Sequence, residues 1–117
     1  MLIGELSERT GVSARLLRYY ESQGLLTPIR TPNGYRDYDE ASVLTVHQIR
    51  ALLDAGLTTD TIGALLPCAH GAPPRLDLCI DVQALLTHEL DATDTRMADL
   101  RRSREALAAW LGAGSSV

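Results

Sequence analysis

Nine residues toward the C-terminus, Val82, Leu86, Leu90, Thr93, Met97, Leu100, Arg104, Leu107 and Leu111, recur at spacings of three or four. Only Thr93 and Arg104 interrupt the apolar seam. The pattern specifies a helix with a single apolar stripe, roughly 45 Å long at about 1.5 Å of rise per residue. A chain of 117 residues has room for one small domain besides, which is too little to cover a stripe of that length. Left in water, the leucines would forfeit about 25 cal/mol for each Å² of apolar surface that could be buried. A second copy of the same helix is the natural cover, and an antiparallel coiled-coil dimer is the expected arrangement.

The N-terminal half has a different texture. "IGELSERT" places Ile3 and Leu6 on one side of a short helix that Gly11 ends. Ser13 is a good N-cap for a second helix, in which Leu16, Leu17 and Tyr20 fall at helical spacing until Gly24. Two short helices joined by a glycine-containing turn make a helix-turn-helix candidate. In "LLTPIRTPNGYRDYD", Pro28 and Pro32 forbid helix and Asn33-Gly34 is a strong hairpin signal. A two-stranded wing is expected, with Arg36 and Tyr38 on one face of its return strand and Tyr35 on the other.

Asp39 caps a third helix with Val43, Val46, Ile49, Leu52 and Leu53 as its stripe, and a shorter helix runs from Thr59 to Leu66. Residues 67 to 77 hold three of the five prolines, which marks a break in the chain. The expected organisation is a winged helix-turn-helix domain over 1–66, a hinge or linker loop over 67–80, a dimerisation helix over 81–111 and a disordered tail over 112–117.

Charge sharpens the functional reading. The net charge of −4 does not suit a polyanion binder, which needs cations at each phosphate. Between Arg9 and Arg36, however, five arginines and the single acid Glu21 leave a local charge of +4. All four tyrosines lie in the window from Tyr19 to Tyr38, and the chain has no lysine. Arginine suits bidentate contacts to phosphate or guanine. No apolar run approaches the roughly 20 residues of a membrane span, so a cytoplasmic protein with no membrane partner is expected. No nucleophile with a plausible base, phosphate-binding glycine loop or paired carboxylates stands out; neither an enzyme nor a cofactor is expected.

The ordered set "IGELSERTGVSARLLRYYESQGLL", "RTPNGYRDYDE" and "LLDAGLTTDTI", followed by the long seam, resembles the MerR family of bacterial transcription regulators across essentially the whole chain. The resemblance implies a mainly α fold, a winged helix-turn-helix domain followed by a long C-terminal antiparallel coiled-coil dimerisation helix. It further implies a homodimer on double-stranded promoter DNA that distorts the promoter spacer, with RNA polymerase served indirectly. Position by position, Ser13, Ala14, Arg15 and Arg18 lie in or over the major groove and Tyr19 reaches the backbone. Tyr20 either packs against the wing or holds a phosphate. Arg36 and Tyr38 match the wing contacts, while Tyr35 packs in the core and Arg9, Arg30 and Arg50 are solvated surface. Val82, Leu86, Leu90, Met97, Leu100, Leu107 and Leu111 carry dimerisation.

Cys79 matches the position of a metal-binding cysteine in mercury-type members of that family. Those members complete the site with a cysteine-bearing loop after the dimer helix, whereas here the sequence reads "AWLGAGSSV". Three readings follow: Cys68, His70 and Cys79, with His88, form a metal set; a reversible Cys68–Cys79 disulfide acts as a redox switch; or both thiols are structural. A dimer that binds DNA without any effector is a further alternative.

Overall fold

Ser13 and Asp39 carry out the capping expected of them. The Ser13 hydroxyl accepts the Leu16 amide at 3.2 Å, and an Asp39 carboxylate oxygen accepts the Ser42 amide at the same distance. Between the first two helices the chain reverses at Gly11, whose φ of 72° lies in the left-handed region open to glycine. Its N–H caps the preceding helix on the Ser7 carbonyl at 2.9 Å.

The structure, a computed structural model, describes residues 1–114. Its elements are α1 (Ile3–Thr10), α2 (Ala14–Ser22), β1 (Ile29–Arg30), β2 (Arg36–Asp37), α3 (Glu40–Asp54), α4 (Thr59–Leu65), a 3-10 turn (Leu66–Cys68), β3 (Ala69–His70), β4 (Arg75–Leu76) and α5 (Ile80–Gly114). They fall into two units, the first ending at Asp77 and the second beginning at Leu78. In the first unit Leu6 of α1, Leu17 and Tyr20 of α2, Val46 and Ile49 of α3, and Ile62 and Leu65 of α4 are each no more than 1% exposed. Leu16, which helical spacing groups with Leu17 and Tyr20 as one apolar face, is 40% exposed. The buried stripe of α2 is centred between Leu17 and Tyr20, so Leu16 falls on its flank.

The wing differs in detail from the expected two-residue turn. β1 and β2 pair antiparallel with Ile29 opposite Asp37 and Arg30 opposite Arg36. The Thr31 N–H donates to the Tyr35 carbonyl at 3.0 Å, and the Gly34 N–H donates to the Thr31 carbonyl at 2.9 Å. Pro32, Asn33 and Gly34 therefore form a three-residue loop. Pro32 supplies the preset φ of the turn and Gly34, at φ 80°, the left-handed residue that follows it.

Residues 67–80, expected as a loop, are largely ordered into structure. After the 3-10 turn, β3 and β4 pair with Ala69 opposite Leu76 and His70 opposite Arg75. The Asp77 N–H closes the hairpin on the Cys68 carbonyl at 2.9 Å. Gln48, buried on α3, donates its side-chain amide to the Gly71 carbonyl at 3.1 Å and so satisfies a polar group inside the apolar face.

The second unit contains α5, which continues to Gly114. Residues 112–114 of the tail expected to be disordered are thus helical, and 115–117 lie outside the described residues. Leu90, Met97, Leu100, Leu107 and Leu111 are all more than half exposed. Leu100, Ser103, Arg104, Leu107, Ala108 and Leu111 line an apolar groove of about 410 Å³. No helix among the described residues is long and apolar enough to cross a membrane.

Truncating Leu17 to Ala should cost about 2–5 kcal/mol of stability through lost burial and the cavity left behind. The same change at half-exposed Leu16 should stay within about 1 kcal/mol. Urea midpoints of the two variants test this difference.

Candidate nucleic-acid interface

The first two turns of α2 present Ser13, Arg15, Arg18 and Tyr19 as exposed side chains, with Ala14 half-buried among them. Leu17 and Tyr20 anchor the opposite side. The wing adds a second basic element. Arg18, Arg30, Arg36 and Tyr35, with Leu2, Ile3 and Gly34, line a shallow cleft of about 410 Å³ between α1, α2 and the wing. Arg30 and Arg36 face each other across the ladder. Like charges in that position are destabilising, so the wing gains from any anion placed beside them.

Glu21 provides part of that relief. One carboxylate oxygen lies 3.2 Å from the Arg36 Nε and the other accepts the Tyr38 hydroxyl at 3.1 Å. The single acid of the arginine-rich segment therefore ties α2 to the wing. Burial, and then the neighbouring carboxylate, pushes the Tyr38 pKa up, which keeps that hydroxyl a donor. A second tie lies at the base of the wing, where the Met1 ammonium sits 2.6 Å from an Asp37 carboxylate oxygen and donates to the Tyr38 carbonyl at 2.6 Å.

Several site expectations change. Tyr38, expected at the DNA surface, is 1% exposed, whereas Tyr35, expected in the core, is 65% exposed. β2 ends at Asp37, so simple alternation does not carry through to Tyr38, where the backbone turns into the Asp39 cap. Tyr20 is also core at 1% exposure. Of the two alternatives open to it, packing is the one observed. Its hydroxyl meets no hydrogen-bond partner of good geometry, although it lies close enough to Arg50 to push that guanidinium's pKa up. Arg9, expected as free surface, makes a two-point contact with Glu40 at 2.5 and 2.6 Å. Arg30 and Glu21 were missed as site residues. Counting the hairpin register back from Arg36 would have found Arg30; nothing local in the sequence points to Glu21 as the bridge.

Of the thiol and histidine candidates, Cys68 and His70 belong to the first unit and Cys79 and His88 to the second. Cys68 is half-buried, Cys79 is exposed and both are free thiols. His70 holds an Asp77 carboxylate oxygen at 2.8 Å through Nε2. Among the described residues no three His, Cys, Asp or Glu side chains come together as a metal site requires.

A family description reading "MerR HTH family regulatory protein" matches residues 1–67, and a second, "MerR, DNA binding", matches residues 43–110. The chain belongs to the MerR family. An uncharacterized HTH-type transcriptional regulator of Pseudomonas aeruginosa is 33% identical over 108 residues, covering 92% of this chain and 80% of the relative. Heavy metal-dependent transcription regulator 2 of Rhizobium meliloti is 42% identical over 108 residues, with 92% and 71% covered. Among solved structures, the transcription regulator PbrR691 from Ralstonia metallidurans CH34, in complex with lead(II), superposes with a TM-score of 0.76. It is 32% identical, with 92% of this chain and 82% of that one covered. The protein is accordingly a DNA-binding MerR-family transcription regulator.

The ion pairs around the wing give a pH dependence of definite sign. Hydrogen bonding to the Met1 ammonium holds Asp37 below the usual carboxylate range, and hydrogen bonding to Arg9 does the same for Glu40. A depressed folded-state pKa stabilises the fold above the ordinary value, near 4.5 for glutamate. That contribution is lost as pH falls through the lower folded value. The urea midpoint should therefore drop between pH 6 and pH 3, and the drop should be smaller in Glu40→Gln.

Proposed function

We propose that the protein binds promoter DNA as a homodimer, with residues 1–66 as the DNA-binding part and residues 81–111 as the dimerisation helix, and that binding distorts the promoter spacer. The observation that carries this reading is the arginine-lined cleft between α2 and the wing, continuous with the exposed Arg15, Arg18 and Tyr19. Among the described residues Arg15, Arg18 and Arg30 have no ion-pair partner. Arg18 and Arg30, two unneutralised guanidiniums on one concave surface, with Arg15 exposed on the same helix as Arg18, are a costly arrangement unless phosphates complete it.

Each residue then has a role. Ser13, Ala14, Arg15 and Arg18 enter or overlie the major groove from the N-terminal end of α2, where free backbone N–H groups also favour an anion. Tyr19 offers its hydroxyl to the backbone, and Arg30 and Arg36 hold flanking phosphates from the wing. Tyr20 and Tyr38 act from within, by fixing α2 and the wing against the core. Two such domains in one dimer clamp a duplex at two places. The phosphate contacts offset a deformation cost of roughly 1–6 kcal/mol for a smooth bend, and RNA polymerase is then affected through the shape of the promoter.

Salt dependence tests the interface. Three free arginines in each of two subunits imply a log–log slope of affinity against salt near −5, at about −0.9 per phosphate neutralised. Arg18→Ala should weaken binding to the protein's own promoter strongly and reduce the slope by about 2, whereas Arg75→Ala should leave both unchanged. Equal effects of the two substitutions would remove α2 from the interface.

Dimerisation has its own test. Leu100→Glu places a charge in the apolar groove of α5 and should convert the protein to a monomer in sedimentation at micromolar concentration. A wild type that is already monomeric there refutes the helix pair.

A further inference from the structure

In the apolar seam of α5 two positions are polar, and Thr93 and Arg104 are not equivalent within the heptad. With Leu90, Met97, Arg104 and Leu111 at the a positions, Leu86, Thr93, Leu100 and Leu107 occupy d. In an antiparallel pair each a residue layers against a d residue of the other helix. Thr93 and Arg104 can therefore share a layer, but only in one alignment.

Resting on the homodimer reading above, we infer that two copies of α5 pair antiparallel in the register that sets Thr93 against the partner's Arg104 and Asp94 against the partner's Arg101. The two-fold axis then passes between positions 98 and 99. Leu90 meets the partner's Leu107, Leu86 meets the partner's Leu111, and the two polar breaks are collected into layers of their own. The exposure of Leu90, Met97, Leu100, Leu107 and Leu111 along one stripe is what this pairing removes. Arg104 also lines the groove that receives the second helix.

Two further observations favour this register. The Asp99 carboxylate is already paired with Arg102 in the same helix, yet among the described residues Asp94 and Arg101 have no ion-pair partner. They are e positions, which come together across an antiparallel interface. The Thr93 hydroxyl donates to the Glu89 carbonyl at 2.9 Å. Its oxygen is thereby left to accept, as it does from Arg96 at 3.0 Å, and an arginine has donors to offer.

Sliding one helix by a heptad reverses these gains. Arg104 would lie against the partner's Leu86, Asp94 against the partner's Asp94 and Arg96 against the partner's Arg96. A charge buried on an aliphatic surface and like charges held opposite each other both disfavour that alignment. Polar residues at single core positions are a known way to fix register at some loss of stability.

Cross-linking of the full chain, in a Cys68→Ser, Cys79→Ser background, tests the register. Leu90→Cys with Leu107→Cys should give a covalent dimer under mild oxidation, at least about tenfold faster than Leu90→Cys with Leu100→Cys, because thiols must approach within about 4.5 Å at Cβ to bond. Faster linking by the second pair overturns the register, as does the absence of linking by either pair in protein that sediments as a dimer. A monomeric wild type overturns the dimer itself and the register with it. A charge exchange makes the check independent of cysteine. Asp94→Arg and Arg101→Asp should each raise the dimer dissociation constant about fivefold or more, and the double variant should restore it. Absence of rescue by the double variant counts against the register.

Discussion

The contact on which the first unit depends is the carboxylate of Glu21. It is held between Arg36 at 3.2 Å and the Tyr38 hydroxyl at 3.1 Å. α2 supplies the exposed arginines and the wing supplies the others, and a two-strand ladder of two residues each is too small to hold its own orientation. Tyr38 gives the wing an anchor in the core, and Glu21 joins that anchor to the C-terminal end of α2. Because the Glu21 side chain is only 17% exposed, water screens its pairing with Arg36 less than it screens a surface pair. The basic cleft exists because one acid holds its two sides together.

The same acid settles what the arginine count means. Of the five arginines between Arg9 and Arg36, Arg9 is held by Glu40 and Arg36 by Glu21. Arg15, Arg18 and Arg30 remain. Arg18 on α2 and Arg30 on β1 both line the cleft, and Arg15 is exposed on α2, so the positive charge left over is carried by two elements instead of being spread along the chain. Net charge describes solubility, and it is the internal pairing of charges that decides where a polyanion is attracted.

Features set by neighbouring residues were legible in the sequence. Ser13 and Asp39 cap helices because a side-chain oxygen reaches an amide three residues on, and Gly11 turns because only its own φ is at issue. Features set by distant residues were not. Period-two alternation relates Tyr35 to Tyr38 only if the strand includes both, and β2 is two residues long; what satisfies the hydroxyl of the buried Tyr38 is Glu21, 17 residues earlier. Leu16 misled for a different reason, since a nine-residue helix shows too few turns for the centre of its stripe to be fixed by apolar identity alone. The proline-rich segment read as a linker because prolines disfavour regular ladders. It forms a short hairpin nonetheless, and Gln48 on α3 donates to the Gly71 carbonyl at its turn.

The long helix inverts this relation between sequence and structure. Its stripe was legible over 30 residues because nothing but periodicity defines it, and in the structure its apolar side chains Leu90, Met97, Leu100, Leu107 and Leu111 remain in water. A three-turn helix such as α2 can take its partner from within one domain. A helix of 35 residues presents more apolar length than any other element of this chain can match, the longest of which, α3, has 15 residues. In the proposed dimer, length is met by symmetry: the surface that matches a stripe in extent and spacing is the same stripe reversed. DNA with two related half-sites makes the corresponding demand on that proposed dimer, since one basic cleft would serve one half-site and the two-fold axis would supply the second.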